Sequence, residues 1–302
     1  MTDSNHFDVI IIGGSYAGLA AGMALGRALK TVLLIDDGKP CNRQTPNSHN
    51  FLTNDGKTPK EIAHIAKQQV QQYETIHFFN GKATEGIKIE SGFQIEVSSG
   101  ETFVAKKLIF ATGIRDMLPP IEGIDACWGI SVIHCPYCHG YEVRNKITGI
   151  LGNGEQGYDF SRLISNWTKE LTLFTNGTST LTPEQTIALT KHNINIVEKG
   201  IEHLIHTNGY LEKIIFKDGS YFLLKALYIP ALFEQHCKIP RHLGCELSNE
   251  GYIKVDAFQE TTVQGIYACG DNATKMRTVA NAVAMGATAG ISVSKKMIIE
   301  EF

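Results

Sequence analysis

Two cysteines separated by two residues, Cys135-Pro136-Tyr137-Cys138, are the side chains in this sequence whose type and spacing are best suited to chemistry. That spacing lets both sulfurs reach bonding distance across the first turn of a helix, where unpaired N–H groups lower a thiol pKa and enlarge the thiolate fraction. Pro136 suits such a turn because a first-turn residue needs no N–H partner. The chain holds seven cysteines, at 41, 127, 135, 138, 237, 245 and 269, and only this pair stands close. A zinc site needs a second cluster of Cys or His ligands; none is visible, so no metal is expected. In a reducing compartment a close pair is catalytic rather than structural. The pair is read as a redox-active disulfide, against half a zinc site or two unrelated thiols.

Two glycine clusters carry the next signal. In Gly13-Gly14-Ser15-Tyr16-Ala17-Gly18 the first glycine permits a tight turn and the last lets a helix pack on a strand. The middle position brings backbone close to a pyrophosphate, which then lies at the helix N-terminus; here that position is Ser15. Asp36 lies 18 residues beyond Gly18, at the end of the following strand, where a carboxylate binds ribose hydroxyls. The alternative is a purely structural glycine turn. The second cluster, Gly152-Asn153-Gly154-Glu155-Gln156-Gly157, matches the dinucleotide pattern strictly. Its next strand ends in Phe174-Thr175-Asn176-Gly177, with neither the acid expected for NAD nor the arginine expected for NADP. NADPH and NADH are therefore both left open, and a fold that merely carries the disulfide is the alternative. Lys169 and Lys191 are the cations a neighbouring turn could supply.

These motifs need strands before them and helices after them, and the sequence supplies both. Phe7 to Ile12 reads as a buried strand, Tyr16 to about Leu29 as a helix, and Thr31 to Ile35 as the second strand of a βαβ unit. Residues 59–72 read as a helix and 87–110 as a β-meander turning at Ser91-Gly92 and Ser99-Gly100. A second βαβ unit runs from Ile147–Leu151 through a helix to about Trp167 and a strand at Leu171–Phe174. Residues 42–56, rich in Asn, Pro and Thr, form the longest loop-like stretch. Two βαβ units in 302 residues imply two dinucleotide-type domains.

Composition narrows the class. Hydrophobic residues at 43% and charged residues at 20% are those of a globular chain able to bury a core in each domain. A net charge of −3 without basic tracts argues against nucleic acid and acidic membranes as partners. The apolar run at Phe7–Ile12 is too short for a signal core or a membrane span, and no other segment is expected to span, so a cytoplasmic protein without a membrane partner is expected.

Set in order, the pieces resemble the low-molecular-weight thioredoxin reductases, FAD-dependent pyridine nucleotide-disulfide oxidoreductases, over essentially the whole chain. Ala111-Thr112-Gly113 matches the end of that family's first FAD segment, and Tyr267-Ala268-Cys269-Gly270-Asp271 its late flavin motif. The resemblance implies an α/β fold of two Rossmann-like, three-layer ββα domains, the FAD domain being discontinuous. On that reading residues 1–116 and 245–302 bind FAD, and 117–244 form the NAD(P)-binding-like domain with the disulfide. It implies that Gly13, Gly14, Ser15, Ala17, Gly18, Asp36, Thr112, Gly113 and Gly270 contact FAD, with Asp271 at the ribityl chain. Asp271 taken alone reads equally as a helix N-cap. The flavin ring would lie beneath the helix starting near Thr278-Val279, whose N–H end stabilises negative charge on the ring; Arg277 beside it is either part of that site or a surface charge. Gly152, Gly154 and Gly157 would contact the nicotinamide nucleotide.

By resemblance Cys138 faces the flavin and Cys135 exchanges with the substrate. Where family members carry an aspartate after the second cysteine this chain has His139, and Thr175-Asn176-Gly177 replaces a His-Arg-Arg group. The string from Cys135 to Glu142 is similar to dithiol oxidases of the gliotoxin and holomycin type. His139, with an ordinary pKa near 6.5, suits acid–base work, its alternative being a solvated turn residue; His134 and Glu142 are weaker candidates. The expected partners are a thioredoxin-like protein or a small dithiol or disulfide, and a second copy of the chain in a homodimer. Three activities follow: a reductase passing electrons through FAD to a disulfide, an oxygen-dependent dithiol oxidase running the other way, or a non-enzymatic flavin sensor.

Overall fold

The computed structural model describes residues 5–230 and 232–302, which form two compact units. The first unit begins with β1 (His6–Ile12), α1 (Tyr16–Arg27), β2 (Val32–Asp36), α2 (Pro59–Val70) and β3 (Ile76–Asn80). It continues through β4 (Ala83–Ile89), β5 (Gly92–Val97), β6 (Thr102–Phe110) and β7 (Ile114–Met117), in which the chain crosses to the second unit. That unit holds α3 (Ile124–Cys127), β8 (Val132–Ile133), α4 (Pro136–His139), β9 (Thr148–Leu151), α5 (Gly154–Ile164) and β10 (Leu171–Phe174). Then come α6 (Pro183–Lys191), β11 (Asn195–Val197), β12 (Ile201–Thr207), β13 (Tyr210–Phe216), β14 (Tyr221–Leu223) and β15 (Ala226–Tyr228). The chain returns at β16 (Leu232–Gln235) and completes the first unit with α7 (Ile239–His242), β17 (Ile266–Ala268) and α8 (Val279–Glu301).

In the first unit the parallel strands run β3-β2-β1-β6-β17, every adjacent pair parallel. The first half of β6 pairs instead with β5, which continues antiparallel into β4. The central strands are buried on both faces, which is why Val9–Ile12 and Val32–Ile35 read as unbroken apolar runs rather than alternating ones. In the second unit a parallel sheet β11-β10-β9-β15-β8 is accompanied by the antiparallel sheet β12-β13-β14. Each unit is thus a parallel sheet with antiparallel strands and helices around it, the Rossmann-like α/β class.

The units divide at Arg115/Asp116 and at Leu232/Phe233, and Gln44–His49 folds with the second unit. The boundary near 244 read from the sequence is therefore displaced. Residues 233–244 carry α7, whose Ile239 is buried in the first unit's core beside Ile95 and Phe93. Helix ends follow local chemistry. Thr58 and Glu61 form a reciprocal capping box for α2 with Pro59 in its first turn, and Thr182, Gln185 and Pro183 repeat the device for α6. Helix α1 stops at Arg27, short of the expected Leu29, which adopts φ +58°. Contrary to the expectation that no segment could span a bilayer, α8 is long and apolar enough to do so by length and composition. Its small-residue face packs on α1, with Gly286 against Ala17 and Gly290 against Ala21.

Candidate active site

Cys135 and Cys138 are bonded as a disulfide with their Cα atoms 5.3 Å apart. Cys135 is the N-cap of α4, Pro136 occupies the first helical position, and the Cys138 N–H points at Cys135 Sγ, 3.2 Å away. Once the bond opens, that N–H favours a thiolate on Cys135, because a hydrogen bond to the charged form lowers a pKa. The other thiols are poorly suited to exchange. Burial pushes Cys269 up to about 12 and raises Cys127 and Cys245. Cys41 is exposed and stands alone in the sequence, outside the disulfide.

His139 closes α4 directly behind the disulfide. Burial first, and then the charge of His49, lower its pKa from 6.5 to about 4, so the imidazole is neutral at physiological pH. A neutral imidazole accepts a proton; it is not the solvated turn residue of the bland reading. His49 comes from the Gln44–His49 stretch, and its Nε2 lies 3.6 Å from Glu142 Oε1. Tyr228, at the end of β15, is fully buried and its hydroxyl has no hydrogen-bond partner. Burial and the nearby Glu142 carboxylate raise its pKa far above the ordinary phenol value. His134 stacks on Trp128, ring centroids 5.6 Å apart, and the exposed Tyr137 meets Trp167 edge-on at 5.5 Å.

In the other unit, Gly13 follows β1 with φ +106°, and a Cβ there would stand 2.2 Å from the Ala111 carbonyl oxygen. A Cβ at Gly18 would stand 1.8 Å from the Gly13 carbonyl oxygen, so the turn and the start of α1 close on one another only without side chains. Asp36, ending β2, accepts hydrogen bonds from the Gly14 N–H (2.5 Å) and the Gly38 N–H (2.7 Å). Ser15 caps α1 without using its side chain.

Residues 7–286 match the pyridine nucleotide-disulphide oxidoreductase family. The chain belongs to that family. It is 32% identical to thioredoxin reductase tcpT of Claviceps purpurea over 311 aligned positions, covering 99% of this chain and 97% of the relative. Among solved structures, an oxidoreductase from Agrobacterium tumefaciens is 36% identical with a TM-score of 0.91, covering 97% and 99% of the two chains. HlmI is 27% identical with a TM-score of 0.93, covering 100% of this chain and 95% of its own. The protein is a thioredoxin reductase-like, FAD-dependent thiol–disulfide oxidoreductase.

For a flavoprotein of this family, the first unit fits an adenine dinucleotide. The glycine turn is a cradle that side chains would fill, and the unused N–H groups of α1 face it. Thr112 and Asn272 meet beside it: Asn272 Nδ2 donates to the Phe110 carbonyl (2.8 Å) and to Thr112 Oγ1 (3.3 Å). Asn272 is fully buried and its Oδ1 is left without a partner, as expected where a ligand polar group belongs. The sequence reading passed over Asn272, although its place directly after Asp271 is a usable signal. Asp271 does not cap α8. Thr278 does, accepting from the Asn281 N–H (3.1 Å), while Asp271 Oδ2 lies 3.8 Å from Arg277 Nε. The Arg277 side chain is only 13% exposed, which removes it from the class of surface charges. Gly113 and Gly270 adopt φ +61° and +84°, and Val279 opens α8.

The second glycine cluster is arranged differently. Asn153 caps α5, its Oδ1 accepting from the Gly154 N–H (2.8 Å) and the Thr180 N–H (2.8 Å), while its Nδ2 donates to the Thr178 carbonyl (2.9 Å). Gly152 and Gly157 pack against one another. Asn176 Oδ1 accepts from the Ile201 N–H, Thr175 Oγ1 donates to the Gly177 carbonyl, and the Ser179 N–H donates to the Glu198 carboxylate. Lys169 bonds the Ser165 carbonyl ahead of β10, and Lys191 ends α6, so neither stands at the Thr175–Gly177 turn.

Proposed function

We propose that the protein oxidises dithiols: a substrate dithiol reduces the Cys135–Cys138 bond, the electrons pass to FAD, and oxygen removes them as hydrogen peroxide. What supports this direction is that the second unit's dinucleotide turn has its polar groups engaged within the chain, Asn153 holding the Gly154 N–H and Asn176 the Ile201 N–H, with no cation in Thr175–Gly177, while His139 stands immediately beside the disulfide as a candidate base. A dithiol must lose a proton to attack, and a neutral base supplies what an acid could not. In the proposed step a substrate thiol gives its proton to His139 and its sulfur attacks Cys135 Sγ. The Cys135–Cys138 bond breaks and Cys138 leaves as thiolate. Attack by the second substrate thiol on the mixed disulfide releases the oxidised substrate and a reduced Cys135. FAD held by the first unit would supply a two-electron acceptor for this dithiol pair, with oxygen as the terminal oxidant.

Asp36 and the N-terminus of α1 would hold the ribose and pyrophosphate; Asp271, Asn272 and the N-terminus of α8 would hold the flavin end. The ordinary reductase direction remains the second reading, favoured by the intact Gly152–Gly157 pattern. A cytoplasmic homodimer is proposed with it, the dimer to be checked by sedimentation. Anaerobic dithiothreitol should bleach the flavin, Cys138→Ser should block that bleaching, and admitted air should restore the colour with about one peroxide per dithiol. Bleaching that survives in both Cys135→Ser and Cys138→Ser would remove the disulfide from the path.

A further inference from the structure

Two side-chain amides in the first unit have their nitrogens engaged and their oxygens idle. Gln235, the last residue of β16, donates from Nε2 to the Gly251 carbonyl (2.8 Å) and to the Asn272 carbonyl (2.9 Å). Asn272 donates from Nδ2 to the Phe110 carbonyl (2.8 Å) and to Thr112 Oγ1 (3.3 Å). A carbonyl oxygen can only accept, so these partners fix which end of each amide is the nitrogen. Gln235 Oε1 and Asn272 Oδ1 are then buried without a hydrogen-bond partner among the described residues. For the fully buried Asn272 this is a desolvated acceptor, unfavourable until a donor reaches it.

What is left over decides the chemistry of the ligand. An idle acceptor repels a phosphate or a carboxylate and binds a hydroxyl or a ring N–H. Within FAD that excludes the pyrophosphate. With Asp36 serving the adenosine ribose, the donors that remain are the ribityl hydroxyls and the ring N–H of the flavin end. Gln235 acts one step back. Its Nε2 and the Ile253 N–H (2.9 Å) both donate to the Asn272 main-chain carbonyl, so two donors hold the peptide from which the Asn272 side chain projects. We propose that Asn272 Oδ1 accepts from a hydroxyl or ring N–H at the flavin end of FAD, and that Gln235 is the positioning residue that holds Asn272 for it. The inference rests on the first unit as the FAD site and is independent of the direction in which electrons run. It gives β16, on which the chain returns to the first unit, a part in cofactor binding.

The test is equilibrium dialysis of the FAD-loaded protein, with ADP as a competitor that shares the adenosine and pyrophosphate but lacks the flavin end. Asn272→Leu should weaken FAD by roughly tenfold or more and leave ADP unchanged. Gln235→Met should weaken FAD to a smaller degree, again without an effect on ADP, and serves if Asn272→Leu does not fold. Because Gln235 acts through Asn272, its cost should vanish in the double variant, which should hold FAD as Asn272→Leu alone does. A residue that merely braced the fold would add its own cost there and weaken ADP as well, and that result would overturn the role of Gln235. FAD methylated at its ring N–H separates the two donors. If the ring N–H is the partner, Asn272→Leu should cost nothing further with this analogue; if a ribityl hydroxyl is, the full loss should remain. Unchanged FAD affinity in Asn272→Leu, or equal losses of FAD and ADP, would overturn the proposal while leaving the FAD site in place. Wild-type protein that holds neither FAD nor ADP would instead overturn the assignment of the first unit, and this inference with it.

Discussion

A histidine buried as a neutral ring makes folding depend on pH in a definite direction. His139 has a folded-state pKa of about 4, below the ordinary value near 6.5, because burial and His49 disfavour its charge. The unfolded chain therefore binds this proton more readily, and the native state loses stability as pH falls from about 6.5 towards about 4. Above that window the penalty is absent. His139→Gln should flatten this part of the profile, recovering on the order of 2 kcal/mol at the acid end after allowance for the ring's partial exposure. Urea midpoints of the oxidised protein at several pH values would check it; parallel profiles for the two proteins would contradict it. Asp36 acts at the same scale. Its carboxylate already fixes Gly14 and Gly38, so Asp36→Ala removes a turn-ordering group as well as a ribose acceptor. Each charge-assisted hydrogen bond lost costs about 1.5–3 kcal/mol, so FAD affinity should fall by at least about tenfold in an equilibrium dialysis measurement.

At the scale of elements, the pairing of α1 with α8 couples the two ends of the chain to the flavin site. A Cβ at Gly286 would lie 2.1 Å from the Ala17 carbonyl oxygen, and neither backbone can yield without moving a helix. Gly286→Ala should therefore cost about 1–3 kcal/mol and, because Ala17 belongs to the glycine turn, release FAD at lower temperature. A melt followed by flavin fluorescence measures both at once, and an unchanged release temperature would refute the coupling. The first turn of α1, the strand at Val9–Ile12 and the capped start of α2 were legible because each follows from local chemistry: a glycine turn, an apolar run, a Thr/Pro/Glu cap. The place of residues 44–49 and the packing of α7 with the first unit were not. Nothing in the types of Gln44 to His49 or Ile239 to His242 reports which core they join, since that is decided by long-range packing. His49 and Tyr228 escaped the sequence reading for the same reason: a lone histidine in a polar loop and a lone tyrosine in a buried strand acquire meaning only beside Glu142.

For the molecule as a whole, the question is where its electrons come from, since it has two dinucleotide folds and one disulfide. The second fold keeps its glycines but turns its polar groups inward. The Gly154 N–H, which would greet a pyrophosphate at the start of α5, is taken by the Asn153 side chain, and Thr180 is drawn onto the same oxygen. At the ribose end, Thr175 and Asn176 are spent on backbone partners, and the Glu198 carboxylate accepts from Ser179 in the same loop. A 2′-phosphate brings about two negative charges and needs a fork of Arg or Lys donors to replace its hydration. Losing two such charge-assisted bonds weakens binding by roughly 10²–10⁴-fold, and a fixed carboxylate beside the site opposes it further. NADPH should accordingly reduce the flavin poorly and without clear preference over NADH, whereas dithiothreitol should reduce it through Cys135 and Cys138. Stopped-flow bleaching under anaerobic conditions separates these routes. Saturation at micromolar NADPH with much weaker NADH would restore the reductase direction. Slow, non-saturating bleaching by both nucleotides beside rapid bleaching by dithiol would leave the second fold as the scaffold that aims the disulfide, with electrons entering from the substrate.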